Sequence, residues 1–341
     1  MAGEGGAVTT FAPASNANTI ASSTLARAAR LVAPALDEAI GRLNPSLRGP
    51  VHHHLAGGGK GVRAALSLIS ATAAGADEET GVVGAVAIEL IHNFSLIHDD
   101  IIDGDTERRH RTTVWTEYGI GPAIIAGDAL ATLAVQVLLD EPTVERMRAA
   151  RCLVEATQVM IGGQADDMAF ESRPSVTVEE CLAMERGKTS ALLSCAVSLG
   201  AILAGAPERT VDALAEFGSH VGTAFQAIDD VLGIWGEPAR TGKPVGSDLS
   251  QHKKTLPVSI ALARSVSTLP ELRQLLAGEF LPTEMERART LIEECGAREE
   301  TVALADAHLG MALTALDRVP LAPGPKVELV AIARFVTERD R

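Results

Sequence analysis

The sequence predicts one large all-α domain, and three observations support that fold class. A helical periodicity of apolar residues dominates the chain, and the long alternating runs typical of β-strands are absent. Aromatic residues make up 3% of the chain, fewer than a sheet-rich core normally uses. Hydrophobic residues make up 46% of its 341 residues, which is enough to bury a sizeable core. No repeat or linker divides the chain in two.

The first 22 residues differ in composition from the rest of the chain. They are mainly Gly, Ala, Ser, Thr and Asn with almost no charge, and they predict a mobile tail at residues 1–22 before a single domain at residues 23–341. Proline and glycine then cluster in four segments that we predict as loops: 45–61, 119–122, 236–246 and 320–325.

Two predicted helices begin with a capping box, the motif in which Thr and a Glu three residues later bond each other's backbone N–H groups. One is Thr177–Glu180, opening a helix that runs through Lys188 toward Gly205, and the other is Thr283–Glu286. The stretch 189–207 carries no charge. Because its Ser, Cys, Gly and Ala residues are only weakly apolar, it favours a buried core helix over a membrane span.

The charge and the cysteines exclude several classes of protein. The net charge of −14 argues against a nucleic-acid partner, because a face that neutralises many phosphates is basic. An anionic ligand therefore needs a local basic cluster or bridging metal cations. The four cysteines show no C-x-x-C spacing, and no secretory signal is visible. We expect reduced thiols in a cytoplasmic protein.

The first acidic cluster lies at the end of an apolar helix predicted over residues 82–103. Asp99, Asp100 and Asp103 repel one another there unless a cation lies between them, and the helix dipole disfavours negative charge at this end. Carboxylate oxygens suit Mg²⁺, which bridges to substrate phosphates. The alternative is a solvated acidic helix end that pairs with the arginines at 108–109.

The second acidic cluster lies on one face of a later helix. Gln226, Asp229, Asp230 and Gly233 are spaced i, i+3, i+4 and i+7. A carboxylate pair in so apolar a helix is costly without cations. Two such helices with facing carboxylates form a multi-metal cage for a diphosphate.

Basic residues are interleaved with the two acidic clusters. The turn Gly57–Arg63 allows close backbone approach to a ligand, and its Lys60 and Arg63 can bind a phosphate. It is not a P-loop, because Gly61 stands where the Ser or Thr hydroxyl would be. For each remaining cation taken alone, an ordinary surface position is the favoured interpretation. These cations are Arg108, Arg109, Lys188, Lys243 and Lys253.

Together these segments resemble the trans-isoprenyl diphosphate synthase (polyprenyl synthetase) family over residues 57–257. The motifs that carry the resemblance occur in order: GGGKGVR, HNFSLIHDDIIDGDTERR, GQADD, KTS, FQAIDD and GKPVGSDLSQHKKTLP. The resemblance implies a single large helical bundle around a deep central cavity, the isoprenoid synthase fold, usually as a homodimer.

The resemblance further implies three Mg²⁺ ions, with Asp99, Asp100 and Asp103 as candidate ligands on one helix and Asp229, supported by Asp230, on the other. The substrates would be an allylic diphosphate and isopentenyl diphosphate, condensed head to tail. The allylic diphosphate would contact Arg108, Lys188, Thr189, Gln226, Lys243 and Lys253. The isopentenyl diphosphate site would contain Lys60, Arg63, His92 and Arg109. Asp99, Asp103, Lys188, Asp229 and Lys243 would carry the catalysis.

Product length should depend on the residues below Asp99. Small Ser95 leaves room and Phe94 is the bulky stop, a pattern that resembles geranylgeranyl diphosphate synthases. The alternative is that Phe94 is ordinary core packing.

One departure from the family pattern keeps other functions open. Gly233 stands where the second cluster usually has a third aspartate. The segment from Asp229 onward is also similar to the metal motif of class I terpene cyclases, which would need no isopentenyl diphosphate site. A third possibility is a non-catalytic partner subunit, which would be expected to lose carboxylates from the first cluster.

Overall fold

The computed structural model describes residues 14–237, 245–264, 269–278 and 281–338. Within these ranges the chain is almost entirely helical, so the all-α prediction is confirmed. The long helices are α1 (Ala14–Ile40), α4 (Val82–Ile102), α6 (Ile120–Leu139), α7 (Val144–Glu171), α10 (Glu208–Trp235), α15 (Ala297–Asp317) and α16 (Pro323–Thr337). The shorter ones are α2 (Pro45–Leu55), α3 (Val62–Ala73), α5 (Val114–Tyr118), α8 (Val178–Glu185), α9 (Ala191–Leu203), α11 (Ser247–Ser250), α12 (Leu256–Ala263), α13 (Leu269–Ala277) and α14 (Pro282–Glu294).

The core consists of two hydrophobic clusters that helix α10 joins. Its first half contributes Phe217 to a cluster with α3, α4, α6 and α9, and its second half contributes Ile228 to a cluster with α8, α12 and α14. Leu66, Ile69 and Leu90 in the first cluster are almost completely buried. Each such side chain contributes about 1.5–3 kcal/mol to folding, so this apolar interior fixes the helices that carry the site.

Several predicted boundaries are confirmed and others are corrected. Helix α4 begins at Val82, and the Thr177 capping box opens α8. The second predicted box is wrong: α14 begins at Pro282, and the carboxylate of Glu284 accepts from the backbone N–H of Leu281 at 2.9 Å. The predicted loop at 45–61 is helical in its first part, because proline at a first helical position loses no hydrogen bond.

The N-terminal tail is shorter than the sequence suggested. Helix α1 begins at Ala14, and Ala17 and Ala21 are buried against the core. Residues 1–13 lie outside the described part of the chain. The low charge of this segment suggested a mobile tail. In the structure its alanines favour helix, and this end of α1 packs on the protein.

A π-helical segment, Arg186–Ser190, connects α8 to α9 and crosses α7 at very short range. A side chain on Gly163 of α7 would place its Cβ 2.7 Å from the carbonyl carbon of Gly187 and 2.9 Å from the carbonyl oxygen of Met184. Only glycine permits this approach, which brings the next residue, Lys188, against α7. π-Helical insertions of this kind are frequent at functional sites.

Two helical segments are long and apolar enough to cross a membrane by length and composition alone. They are Glu78–Ile102 and Ile120–Leu139. In the first segment 56% of the most apolar stretch is buried inside the protein, and in the second 44%. The first contains the central core helix α4. The uncharged stretch 189–207 forms α9, which is buried as predicted.

The close helix crossing yields a prediction about stability. Gly163→Ala should lower the free energy of unfolding by about 1–3 kcal/mol, because the methyl group overlaps the backbone of the π segment. The neighbouring Gly162→Ala is the matched control: its Cβ meets nothing within 4 Å, so it should stabilise the protein by about 0.5–1 kcal/mol. Urea unfolding measures both. Equal effects of the two substitutions would contradict the close crossing.

Candidate active site

One cavity of about 800 Å³ brings the two acidic clusters together. It lies between α4, α7, the π segment, α10 and the segment around α11. The polar residues that line it include Lys60, Asp99, Asp103, Arg108, Asp167, Glu185, Lys188, Thr189, Gln226, Asp229, Asp230, Asp248, Lys253 and Lys254. Leu96, Met184, Leu232 and Phe335 add apolar surface. Residues more than 180 positions apart in sequence therefore share one chamber.

The first acidic cluster divides between two roles. Asp99 and Asp103 line the cavity one helical turn apart, and burial raises the pKa of Asp99 to about 6. Asp100 does not line it, which corrects its assignment as a metal ligand. Asp100 is 1% exposed, and its Oδ1 accepts from Arg108 Nε at 2.5 Å. Adjacent helical residues point in directions about 100° apart, so Asp100 instead holds Arg108, which lines the cavity.

Both carboxylates of the second acidic cluster line the cavity, but they differ in exposure. Asp229 is exposed within the cavity, whereas Asp230 is 4% exposed. Asp230 accepts from Gln226 Nε2 at 2.9 Å and from the backbone N–H of Leu256 at 2.7 Å. Thr189 donates in turn to Gln226 Oε1 at 2.7 Å. Asp230 thus ties the π segment, α10 and α12 together.

Lys188 is held in place by an aspartate that sequence reasoning missed. Its ammonium donates to Asp167 Oδ2 at 2.5 Å. Burial lowers the pKa of Lys188, but Asp167, Asp99 and Asp103 more than offset that effect, so its pKa lies above the ordinary value. The GQADD motif contained the signal, since it placed Asp167 on α7, four residues after the close-packed Gly163.

A second basic group lies beside the cavity. Arg63 Nη1 is 3.3 Å from His92 Nε2, and the carboxylate of Glu89 accepts from the backbone N–H of Ala64 at 3.2 Å. Burial and the charge of Arg63 hold the pKa of His92 well below its usual range, so the imidazole is neutral. Neither Arg63 nor His92 is among the residues that line the 800 Å³ cavity, which contains Asp99, Asp103 and Asp229.

Arg109 joins this basic group from the tip of a tight hairpin. Strand β1 (Glu107–Arg108) pairs with β2 (Arg111–Thr112), and Arg109 and His110 between them have φ of 52° and 61°. Two positive φ angles are costly for residues with a Cβ, and such strain is concentrated at functional sites. A Cβ on Gly59 would lie 3.1 Å from Arg109 Nη1, so the glycine-rich turn leaves room for this guanidinium.

The remaining predicted residues have mixed outcomes. Lys253 lines the cavity together with Lys254, which the sequence analysis did not select, whereas Lys243 lies outside the described residues. Phe94 and Ser95 do not line the cavity. Phe94 is 9% exposed, with its ring edge-on to His98 at 5.0 Å between centroids, and Ser95 Oγ donates to the carbonyl of His92 at 2.9 Å. The next residue of the same helix, Leu96, does line the cavity.

The donor set fits Mg²⁺ on the open side of the cavity. Asp99, Asp103 and Asp229 offer hard carboxylate oxygens there, and the buried charge of Asp99 calls for a cation. A different group, Cys181, Glu185 and Asp230, has ligand atoms within 4.8 Å of one another but is fully buried. Its thiol is a soft ligand that Mg²⁺ avoids, and it donates to Glu185 Oε1 at 3.3 Å.

Comparison with known proteins gives one consistent result. Residues 44–294 match the family profile described as polyprenyl synthetase. The (2E,6E)-farnesyl diphosphate synthase of Mycobacterium tuberculosis (strain ATCC 25618 / H37Rv) is 42% identical over 331 residues, covering 92% of each chain. The geranylgeranyl diphosphate synthase of the same strain is 41% identical over 286 residues, covering 83% of this chain and 80% of that protein.

Solved structures agree. The crystal structure of polyprenyl synthetase from Streptomyces coelicolor A3(2) superposes with a TM-score of 0.89 at 46% identity, covering 93% of this chain and 99% of that one. That of geranylgeranyl pyrophosphate synthetase from Pyrococcus horikoshii Ot3 gives 0.87 at 34% identity, with the same coverage.

The raised pKa of Asp99 predicts a pH-dependent effect on stability. Burial raises the pKa of Asp99 to about 6 in the folded chain, from near 4 in the unfolded chain. The ionised carboxylate therefore destabilises the metal-free protein. This cost grows between pH 4 and pH 6 and is complete above pH 6. Asp99→Asn should therefore stabilise the metal-free protein by about 1–2 kcal/mol at pH 7.5 and by nearly nothing at pH 4.

Thermal melts in EDTA at the two pH values measure this difference. The same variant should lose most of the stabilisation that Mg²⁺ with pyrophosphate gives the native protein. Asp37→Asn, on the exposed face of α1, is the control and should change neither melt. A destabilised Asp99→Asn variant at pH 7.5 would contradict the cost assigned to this buried charge.

Proposed function

This chain belongs to the polyprenyl synthetase family, and we propose that it condenses an allylic diphosphate with isopentenyl diphosphate, head to tail, to give geranylgeranyl diphosphate. Its family makes it a prenyltransferase that lengthens prenyl chains. The observation that carries the finer proposal is the pairing of two sites: a cavity with carboxylates on two facing walls, and a separate group of cations beside it.

The cavity suits an allylic diphosphate. Asp99, Asp103 and Asp229 would hold Mg²⁺, which supplies positive charge to the diphosphate as its bond to the allylic carbon breaks. Lys188 and Arg108 would donate to the same diphosphate oxygens. Half-buried Asp167 holds Lys188, and buried Asp100 holds Arg108. Donors fixed in this way need no reorganisation when charge develops, which is the main source of electrostatic catalysis.

The neighbouring basic group suits the second substrate. Arg63 and Arg109, together with Lys60 from the wall of the cavity, supply positive charge for the diphosphate of isopentenyl diphosphate. The neutral ring of His92 orients Arg63. Its double bond attacks the allylic carbon, a new carbon–carbon bond forms, and a proton leaves to an oxygen of the released diphosphate. The apolar side chains of Leu96 and Met184 line the cavity and would shield the allylic carbocation from water.

The two alternatives have no supporting observation in the described residues. A terpene cyclase would not need the cations beside the cavity, and a non-catalytic subunit would not need both Asp99 and Asp103 in it. Relatives of similar identity are named as farnesyl and as geranylgeranyl diphosphate synthases, so analysis of the product must distinguish these two chain lengths.

We also propose a cytoplasmic homodimer. Helices α6 and α7 expose a run of large apolar side chains that a second copy would cover: Ile120, Ile124, Ile125, Met147, Val154, Val159, Ile161 and Met168. Reduced thiols fit a cytoplasmic location, since all four cysteines are free. The net charge of −14 leaves nucleic acid outside the proposed partners.

Incubation with Mg²⁺ and farnesyl diphosphate, with and without isopentenyl diphosphate, tests the proposed reaction. Mass spectrometry of the dephosphorylated products should show geranylgeraniol only when both substrates are present. Asp229→Asn should lower turnover by about 100-fold or more, because it removes a ligand that acts on the departing diphosphate. Asp37→Asn is again the control. A hydrocarbon or cyclic alcohol made without isopentenyl diphosphate would replace elongation by cyclisation.

A second experiment tests Phe94 as the determinant of product length. If this ring closes the lower end of the cavity, Phe94→Ala should produce alcohols longer than geranylgeraniol. Ile97→Val, at a neighbouring buried position of α4, should leave the product unchanged. The truncation of a buried Phe costs about 3–5 kcal/mol, so thermal melts must accompany the product analysis. An unchanged product from folded Phe94→Ala protein would assign Phe94 to core packing.

A further inference from the structure

A group of three buried side chains lies where α8 meets α10, apart from the carboxylates proposed to hold Mg²⁺. Cys181 and Glu185 are one turn apart on α8, and Asp230 reaches them from α10. One ligand atom of each residue lies within 4.8 Å of those of the other two. A thiolate together with carboxylates is a ligand set for Zn²⁺, whereas Mg²⁺ takes oxygen ligands alone.

The distances within this group are close to those of a tetrahedral zinc site. Zn–S bonds of about 2.3 Å and Zn–O bonds of about 2.0–2.2 Å place sulfur and oxygen ligands about 3.5 Å apart. The Sγ atom of Cys181 lies 3.3 Å from Glu185 Oε1 and 3.3 Å from the carbonyl oxygen of Lys254. Small side-chain rotations therefore suffice to surround an ion, and the Lys254 carbonyl or a water can supply the fourth ligand.

Glu185 has an oxygen for which the described part of the chain offers no donor. Its side chain is 2% exposed, its Oε1 accepts from the Cys181 thiol, and its Oε2 has no hydrogen-bond partner there. A buried polar atom without a partner costs about 1–3 kcal/mol. Because a bound cation would use the free lone pairs of Oε2, this atom indicates a ligand position.

Without a cation, protons neutralise the group. Burial, and next the charge of Glu185, raises the pKa of the Cys181 thiol far above its usual range. Burial and then Asp230 raise the pKa of Glu185 well above that of an ordinary carboxyl. A divalent cation would displace these protons to solvent, because a coordinating thiol ionises and a metal ion compensates buried negative charge.

Asp230 is oriented for ligation, and the group has a route to solvent. Its carboxylate accepts from Gln226 Nε2 and from the backbone N–H of Leu256, and hydrogen bonds of this kind orient ligating carboxylates in metal sites. Glu185 and Asp230 also line the 800 Å³ cavity, from which a cation can enter.

We propose that Cys181, Glu185 and Asp230 form a site for Zn²⁺ or a similar thiophilic divalent cation, distinct from the Mg²⁺ site. Glu185 immediately precedes the π segment, and Asp230 is linked through Gln226 to Thr189 of that segment. An ion in this site would connect α8 to α10 at the start of the π segment. The inference does not depend on the proposed reaction, because it concerns a different set of ligands.

Titration with Co²⁺ in place of Zn²⁺ tests the site without any substrate. A thiolate bound to Co²⁺ gives a charge-transfer absorption band that carboxylate and imidazole ligands do not give. Excess Mg²⁺ in the titration occupies the carboxylates on the open side of the cavity. The native protein should develop this band up to one Co²⁺ per chain, and Zn²⁺ should then abolish it, because Zn²⁺ binds such ligands more tightly than Co²⁺.

Variants of two ligands and two matched controls assign the band. Cys181→Ser should abolish it, and Cys181→Ala removes the sulfur without adding a hydroxyl. Glu185→Gln should weaken Co²⁺ binding by about 10-fold or more. Cys295→Ser, at a half-buried thiol, and Glu179→Gln, at an exposed position of α8, should bind Co²⁺ as the native protein does. Circular dichroism establishes that each variant is folded.

Three results would overturn the proposal: no thiolate band in the native protein, a band that survives in folded Cys181→Ser or Cys181→Ala, or native affinity in Glu185→Gln. Binding of Co²⁺ without the band would assign the ion to other ligands and overturn the proposal as well. None of these results bears on chain elongation, which the product assay tests separately.

Discussion

The repulsion between carboxylates that face one cavity is the interaction on which this structure depends. Asp99, Asp103 and Asp229 lie on two walls of the same chamber, and burial already raises the pKa of Asp99 to about 6. An apolar core fixes the helices that bear these groups, so the repulsion cannot relax by separating them. Cations and the basic side chains of the cavity must offset it, and that requirement makes the cavity a site for a metal-bound diphosphate.

The surrounding scaffold converts this electrostatic requirement into fixed geometry. Asp99 and Asp229 line the cavity, and each has a buried aspartate next to it in sequence that binds a protein group: Asp100 binds Arg108, and Asp230 binds Gln226 and a backbone N–H. Lys188 reaches Asp167 because two glycines let the π segment touch α7. The paired aspartates thus combine one ligand and one support in a single turn of helix.

The roles of several residues differ from the sequence-based predictions because they depend on the direction in which each side chain points. The acidic motif alone predicted Asp100 as a metal ligand. Asp100 follows Asp99 on α4 and therefore points in another direction, where it accepts a hydrogen bond from Arg108. Asp167, Asp248 and Lys254 line the cavity and lie in motifs of the resemblance, but no local pattern distinguished them from their neighbours. Glu185, which also lines the cavity, lies outside those motifs. The glycine at 233 suggested a weakened cluster, whereas the structure shows another carboxylate in that space.

The sequence by itself determined the helical fold, the family, the α4 boundaries and most of the charged residues of the site, because apolar periodicity and motif spacing are local properties of the chain. Only the tertiary structure decided which of Asp99 and Asp100 lines the cavity, and that Arg63 and His92 do not line it. Those relations join residues far apart in sequence, and the packing of helices, rather than any local pattern, sets the distances between them.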